Sequence, residues 1–275
     1  MAVLVDASTP GTWTGVTDGP SPLGDTSASF TAPSGALLVC VVIYDSTAAG
    51  ANSMVVADSG SLTWTKQVEE LPTSAPAGGG SVIWTAKTAS AAARTVTAAY
   101  SGSGASNGTK RKFAACYVLT GADVAGTPVD TTGANNSGGN TTNNFTTATV
   151  TPGADGLLLC GGCDWNALGA PTSSDLTINA FHQASQISGL SGYKTTTNGT
   201  GTHGNLHAAA GTPQWKWVQI TVRAAASSFP GDDEAGLTYS PVTLWQTATR
   251  HLRRLWDRPP GQRIYRPEYA MEVAA

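Results

Sequence analysis

The sequence predicts an all-β protein: an antiparallel, jelly-roll-like β-sandwich of about ten strands, followed by a C-terminal helix and an extended arm. Three observations predict it. Short runs rich in Val, Ile, Leu, Tyr and Trp recur at regular spacing, separated by clusters of Gly, Pro, Asn, Ser and Asp. Only 12% of the 275 residues are charged, against roughly 25% in ordinary soluble domains. Small and hydroxyl-bearing residues fill the deficit, which suits many short strands and turns better than a helix-rich enzyme. Residues 231–275 then change character, with 6 Arg, no Lys and 6 acids.

The strands follow in order. Leu37 to Tyr44 is continuously apolar, the mark of a central strand buried on both faces. Ser61 to Val68, with Trp64, comes next. Val82, Trp84 and Ala86 alternate with Ile83, Thr85 and Lys87, and Val96, Ala98 and Tyr100 alternate with Thr95 and Thr97. Phe113 to Thr120 is a second central-strand run. Phe145 to Val150 and Gly156 to Cys160 form a close pair, followed by Leu176 to Phe181 and Tyr193 to Thr197, and Trp215 to Arg223 closes the domain. Pro72 to Gly80, Ser101 to Thr109 and Thr131 to Asn144 are too polar and too long for tight hairpins, so they read as surface loops at one or both ends of the sandwich. Thr31 to Cys40 is echoed by Thr151 to Cys160, each a Pro/Gly turn feeding an apolar strand with a cysteine. Equivalent strands in two facing sheets, two related half-domains, or coincidence would each explain the echo.

Residues 1–226 form the expected β domain. Residues 227–239, with Pro230, Gly231 and three acids, read as a linker, and residues 240–275 as a helix and docking arm. Ser240 suits an N-cap and Pro241 the first helical position. Val242, Trp245, Thr249, Leu252 and Trp256 trace an apolar stripe widened by Leu244, Ala248 and Leu255, with Arg250, Arg253 and Arg254 on the rest of the surface. Pro259 and Pro260 end the helix, and an extended segment with Tyr265 follows. Burying this stripe is worth several kcal/mol at roughly 25 cal/mol per Å², so it seeks a surface: its own sandwich, a sister copy or another protein. Arginine suits such a contact through its forked donors and stacking plane.

Signals for chemistry are few. Net charge is −3, so no basic field draws nucleic acid. The start has neither a basic segment nor a long apolar core, and no apolar run approaches the ~20 residues of a membrane span. Nucleophile elbow, phosphate loop and HExxH helix are absent from the sequence. Cys40, Cys116 and Cys160 sit in apolar runs, where a thiol acts as a small hydrophobe. Cys160-Gly161-Gly162-Cys163 has redox or half-zinc spacing, but it lacks a second CxxC and lies in a strand. His182, His203, His207 and His251 read as loop histidines; glycines around His203 and His207 deny them a helix. Asp18, Asp58 and Asp155 stand beside Gly or Ser, as turn-forming residues do. No metal, cofactor or catalytic residue is expected. Trp215 and Trp217 share the more polar face of the last strand. Three readings stand: a pair covered by a neighbouring loop or sheet, which is preferred, a surface receiving the C-terminal helix, and a sugar-stacking platform.

Four phrases carry a resemblance: Ser34-Gly35-Ala36-Leu37-Leu38-Val39, Leu62-Thr63-Trp64-Thr65, Ser81-Val82-Ile83-Trp84-Thr85-Ala86 and Tyr117-Val118-Leu119-Thr120-Gly121-Ala122-Asp123. They resemble β-sandwich structural proteins of tailed phages, most of all minor tail proteins and related virion proteins of phages infecting actinobacteria. The resemblance covers about residues 30–125 well, extends loosely to 223, and leaves the tail unmatched. It implies a virion component assembled in the host cytoplasm and no catalytic residue. Partners would be other virion proteins, copies of the chain itself included, and a host cell-wall glycan. A tail-tip or baseplate position is the first expectation; a capsid decoration or head-fibre protein, and a carbohydrate-binding module, are the alternatives.

Overall fold

The computed structural model describes residues 2–17, 25–44, 53–71, 79–101, 110–136, 153, 155–164, 169–170, 172–173, 176–183, 187–195 and 215–226. The chain divides into two units, Met1–Ser227 and Ser228–Ala275. The linker, helix and arm expected over residues 227–275 lie outside the described residues, as does the strand expected over Phe145 to Val150.

Sixteen strands and no helix form among the described residues. The first eight are β1 (Leu4–Val5), β2 (Trp13–Thr17), β3 (Asp25–Thr26), β4 (Phe30–Ala32), β5 (Leu37–Tyr44), β6 (Ser53–Asp58), β7 (Thr65–Glu70) and β8 (Gly80–Lys87). The rest are β9 (Ala92–Arg94), β10 (Val96–Ser101), β11 (Lys110–Thr120), β12 (Val129–Asn136), β13 (Leu157–Asp164), β14 (Thr177–Gln183), β15 (Ile187–Thr195) and β16 (Trp215–Val222). All pairings between them are antiparallel. A six-stranded sheet runs β1-β11-β5-β8-β7, with β2 also on β11. A five-stranded sheet runs β12-β16-β13-β15-β14, a three-stranded sheet β3-β10-β6, and β4 pairs β9.

The six-stranded sheet is a middle layer. In β5 every side chain is buried, because its two faces enter two cores. Leu38, Cys40, Val42 and Tyr44 pack with Met54, Val56, Val96, Ala98 and Tyr100 of the three-stranded sheet. Leu37, Val39, Val41 and Ile43 pack with Leu157, Leu159, Cys163, Val218, Ile220 and Val222 of the five-stranded sheet. Burial on both faces removes the need for a polar face, which is why this strand reads as an unbroken apolar run. Each such aliphatic side chain contributes roughly 1.5–3 kcal/mol.

The apolar runs at β5, β8, β10, β11, β13 and β16 form the strands expected of them. Leu37–Cys40 and Leu157–Cys160, the echoed segments, open the central strands of the two facing sheets. Other expectations are corrected. Thr131 to Asn144 reads as a loop, yet Val129–Asn136 is β12, held along β16; Val129, Thr131, Gly133 and Asn135 are half-buried and alternate with exposed neighbours. Ser61 to Trp64 follows a turn at Ser59 and Gly60 and is not yet strand, for β7 begins at Thr65. The strand expected from Tyr193 begins earlier, at Ile187. Strands β1 to β4 and β9 are too short to announce themselves, and β6 is not among the expected strands although Met54 to Ala57 is an apolar run.

The two ends of this unit differ. At one end lie short turns: Ala36 N–H donates to Pro33 O, Thr88 N–H to Ala36 O and Gly156 N–H to Gly153 O. The last described residues are there too, where Ala225 N–H donates to Gly121 O. Tyr44, Glu70, Gly80, Lys112, Asp164 and Lys216 lie at the other end by register. The sequence between Glu70 and Gly80 and that between Ser101 and Lys110 both leave and re-enter strands at this second end.

Candidate functional site

Trp215 and Trp217 are buried to 1% and 0% exposure. They fill the outer face of the five-stranded sheet with Leu158, Cys160, Leu176 and Leu190. The ring of Trp217 lies over Gly162, where an added Cβ would meet its Cε3 at 2.4 Å, and its indole N–H donates to Gln219 Oε1 at 3.0 Å. Neither ring presents a face to solvent, so the geometry here is that of a covered pair rather than an open sugar platform. The other expected docking residues, Val242, Leu244, Trp245, Arg250, Leu252, Arg253, Arg254, Leu255, Trp256 and Tyr265, lie outside the described residues.

Cys160 and Cys163 are three apart on a strand and therefore point to opposite faces. Cys160 enters the outer tryptophan cluster and Cys163 the core between the sheets. No single ion or disulfide can use both from this strand. Cys40 and Cys116 are opposite each other across β5 and β11, and all four cysteines are buried and free. Burial raises every one of these thiols, Cys163 to about 12, so none is a thiolate near neutrality. No group of three or more His, Cys, Asp or Glu side chains that could hold a metal comes together among the described residues. His203, His207 and His251 lie outside them.

Charge is buried sparingly and in pairs. Asp58 ends β6 inside a turn and accepts from Gly60 N–H and Leu62 N–H at 2.8 Å, from Trp64 Nε1–H at 3.2 Å and from Arg94 NH1 at 3.1 Å. Both partners of the Arg94–Asp58 pair are buried. The sequence placed Asp58 correctly as a turn former; nothing local revealed that Arg94 would reach it. Lys112 sits 3.1 Å from Asp25 with its ammonium 5.7 Å from the Tyr100 ring centroid, while burial pulls its pKa down against the raising effect of Asp25. Tyr44 donates to Glu69 at 3.1 Å, and burial first, then Glu69, drives its phenol up. The Tyr44 and Lys112 groups lie at the second end of the unit and the Asp58–Arg94 pair at the far end of the β6–β10 ladder, and none of them encloses a reactive space.

The open space lies at the seam between the two large sheets. A groove of about 490 Å³ is lined by Ser61, Leu62, Thr63, Thr65, Gln67, Thr85, Ala86, Lys87, Thr127, Pro128 and Val129. Its polar groups are hydroxyls and one carboxamide, with Lys87 Nζ donating to Gly126 O at 2.9 Å. A smaller groove of about 230 Å³, on the opposite seam, includes Val5, Thr9, Tyr117, Thr177, Asn179 and Tyr193. There the Tyr117 hydroxyl meets Ser191 Oγ at 2.9 Å and accepts from Asn179 Nδ2 at 3.1 Å. Neither groove holds a carboxylate pair or a nucleophile activated by a base. Sequence reasoning missed both, because each joins segments far apart in the chain, and the strand supplying Val129 reads as a loop.

No family model, curated protein or solved structure matches this chain.

Proposed function

We propose that this chain is a structural component of a tailed-phage virion, and not an enzyme. Within the virion the reading is a minor tail protein at the tail tip or baseplate. Its body is then a β-sandwich, jelly-roll-like, which displays loops at one end and is anchored to neighbouring virion proteins by residues 240–275. The observation that carries this reading is the polarity of the described unit. Short hydrogen-bonded turns gather where the chain leaves for residue 227, while the long Gly- and Ser-rich connections on either side of β8 and β10 belong to the opposite end. Binding loops customarily sit on such a rigid scaffold. The neutral hydroxyl-rich composition and the resemblance of residues 30–125 to phage β-sandwich proteins support it further.

The test is a phage whose chain stops at Ser227. The shortened protein keeps its β-type circular dichroism but is missing from purified particles. Normal incorporation would remove the anchor from the proposal. Copy number per particle separates a tail-tip position, with few copies, from capsid decoration, with many.

A further inference from the structure

The two large sheets are built to one plan. In chain order an edge strand comes first, then the central strand, then the far edge, then the two strands flanking the centre. In the first sheet these are β1 with β2, then β5, β7, β8 and β11; in the second they are β12, β13, β14, β15 and β16. Registers agree through the central and flanking strands, with a shift between Lys66 and Val68 on the far edge of the first sheet and one between Val129 and Thr131 in the second. Leu37 opens one central strand opposite Leu119, and Leu157 opens the other opposite Val222. Val5 pairs Leu119 as Val129 pairs Val222. On the far edge Thr65 pairs Thr85 as Thr177 pairs Tyr193.

The agreement extends to the turns. Before each central strand an N–H donates three residues back, Ala36 to Pro33 and Gly156 to Gly153. Each turn holds one residue with positive φ, Gly35 at 72° and Asp155 at 58°. The same face of each central strand enters the shared core. Beyond the last strand of each sheet, Ala122 bridges Ala224 antiparallel, with Asp123 N–H donating to Arg223 O at 3.0 Å and Ala225 N–H to Gly121 O at 2.8 Å. The strand registers set Ala122 against Ala225, one residue from this bridge, so the halves are joined here near equivalent positions.

We infer that residues 2–226 are two copies of one five-strand plan joined beside the Ala122–Ala224 bridge, and that the groove at Thr65, Thr85 and Val129 is the open counterpart of a tyrosine-filled one, a pocket for a tyrosine side chain of a partner protein.

The two seam grooves are the same place seen twice. The smaller is occupied by this chain's own tyrosines: Tyr193 stands where the larger has Thr85, and Tyr117 where its register equivalent is Ile220. Their rings meet edge to face, with centroids 5.8 Å apart. Removing both phenols from an otherwise repeated site leaves a groove of more than twice the volume. The carboxamide is retained. Two residues along each edge strand from its threonine stand Gln67 and Asn179; Gln67 is the extra residue of a bulge, so the register equivalent of Asn179 is Val68 while the carboxamide sits beside it. Asn179 donates to a phenol oxygen, whereas Gln67 donates at 2.7 Å to the Thr85 hydroxyl, in the position Tyr193 takes. An aromatic ring with a hydrogen-bonding tip suits a half-apolar, half-hydroxyl lining.

p-Cresol, the tyrosine side-chain analogue, is the probe, titrated into the full ¹⁵N-labelled chain. Saturable shifts at Thr65, Gln67, Thr85 and Val129 are expected, and toluene should bind several-fold more weakly because it brings no hydroxyl to pair with the carboxamide and hydroxyls of the lining. Thr85→Tyr should fill the groove as Tyr193 fills its counterpart and abolish the shifts. Gln67→Leu, which leaves the core untouched, should bring p-cresol down to the affinity of toluene. No saturable shift, equal binding of the two probes, or undiminished shifts in a folded Thr85→Tyr chain would each overturn the assignment.

Discussion

The two halves of the described unit share a strand order and differ in how they cover themselves. In the first, residues 2–122, extra strands inserted between the shared ones form a three-stranded sheet that lies over the outer face of β5, β8 and β11. Small residues such as Ala86 and Ala114 make room for it. In the second, the outer face carries two large indoles, Trp215 and Trp217, which are themselves covered, with Gly162 making room for the Trp217 ring. One plan thus sets small residues under an added sheet on its outer face in one copy and large indoles on that face in the other. Both solutions bury apolar area, and the hydrophobic effect is indifferent to which atoms supply it.

The largest test breaks the device peculiar to the first half. Asp58→Ala removes the acceptor of two backbone donors and strands the Arg94 charge in a buried site. A loss of about 3–5 kcal/mol is expected, read from the shift of the denaturant midpoint. A loss below about 1 kcal/mol would show the inserted sheet to be held by packing alone.

The next test exchanges a residue between the halves. Gly161 occupies in the second central strand the place Val41 has in the first, and an added Cβ there would meet Val41 Cγ1 at 2.3 Å. Two valines cannot face each other across this core, so one copy carries glycine. Gly161→Val should cost about 1–3 kcal/mol by overpacking. Adding Val41→Gly moves the gap to the other side and should restore part of the loss, a coupling of about 0.5–3 kcal/mol. Strict additivity of the two changes would refute direct opposition.

The smallest effect concerns a difference in titration. Ile43 stands in the first central strand where Cys163 stands in the second, so only the second half hides a thiol at this position. Burial raises this thiol from the ordinary 9.0 to about 12. The unfolded chain therefore ionises first, and the stability contributed by the protonated thiol is full below pH 9 and lost as pH rises from 9 toward 12. Cys163→Ala should shrink the stability lost between pH 8 and pH 10 by about 1 kcal/mol, measured as the difference between two urea titrations. An unchanged difference would mean that water reaches the thiol. Lys112 and Lys216, both pulled down by burial, act in the opposite sense: the unfolded state holds their protons more tightly, so raising the pH toward 10.5 favours the fold.

The parts legible in the sequence are those whose burial is local and complete. The runs at β5, β11 and β13 declare themselves because residues buried on both faces must be apolar at nearly every position. The alternation of Trp215 and Trp217 with Val218 and Ile220 likewise sorts two faces before any partner is known. Tertiary structure decided the rest. β12 is a strand because β16 offers it a ladder of hydrogen bonds, and its Thr, Gly and Asn residues carry no apolar period to say so. The reach of Arg94 to Asp58 and the groove joining Thr65 to Val129 both depend on register between segments distant in the chain. Composition and period report whether a residue is buried; only the pairing of strands, an equilibrium among long-range contacts, selects the neighbour it is buried against.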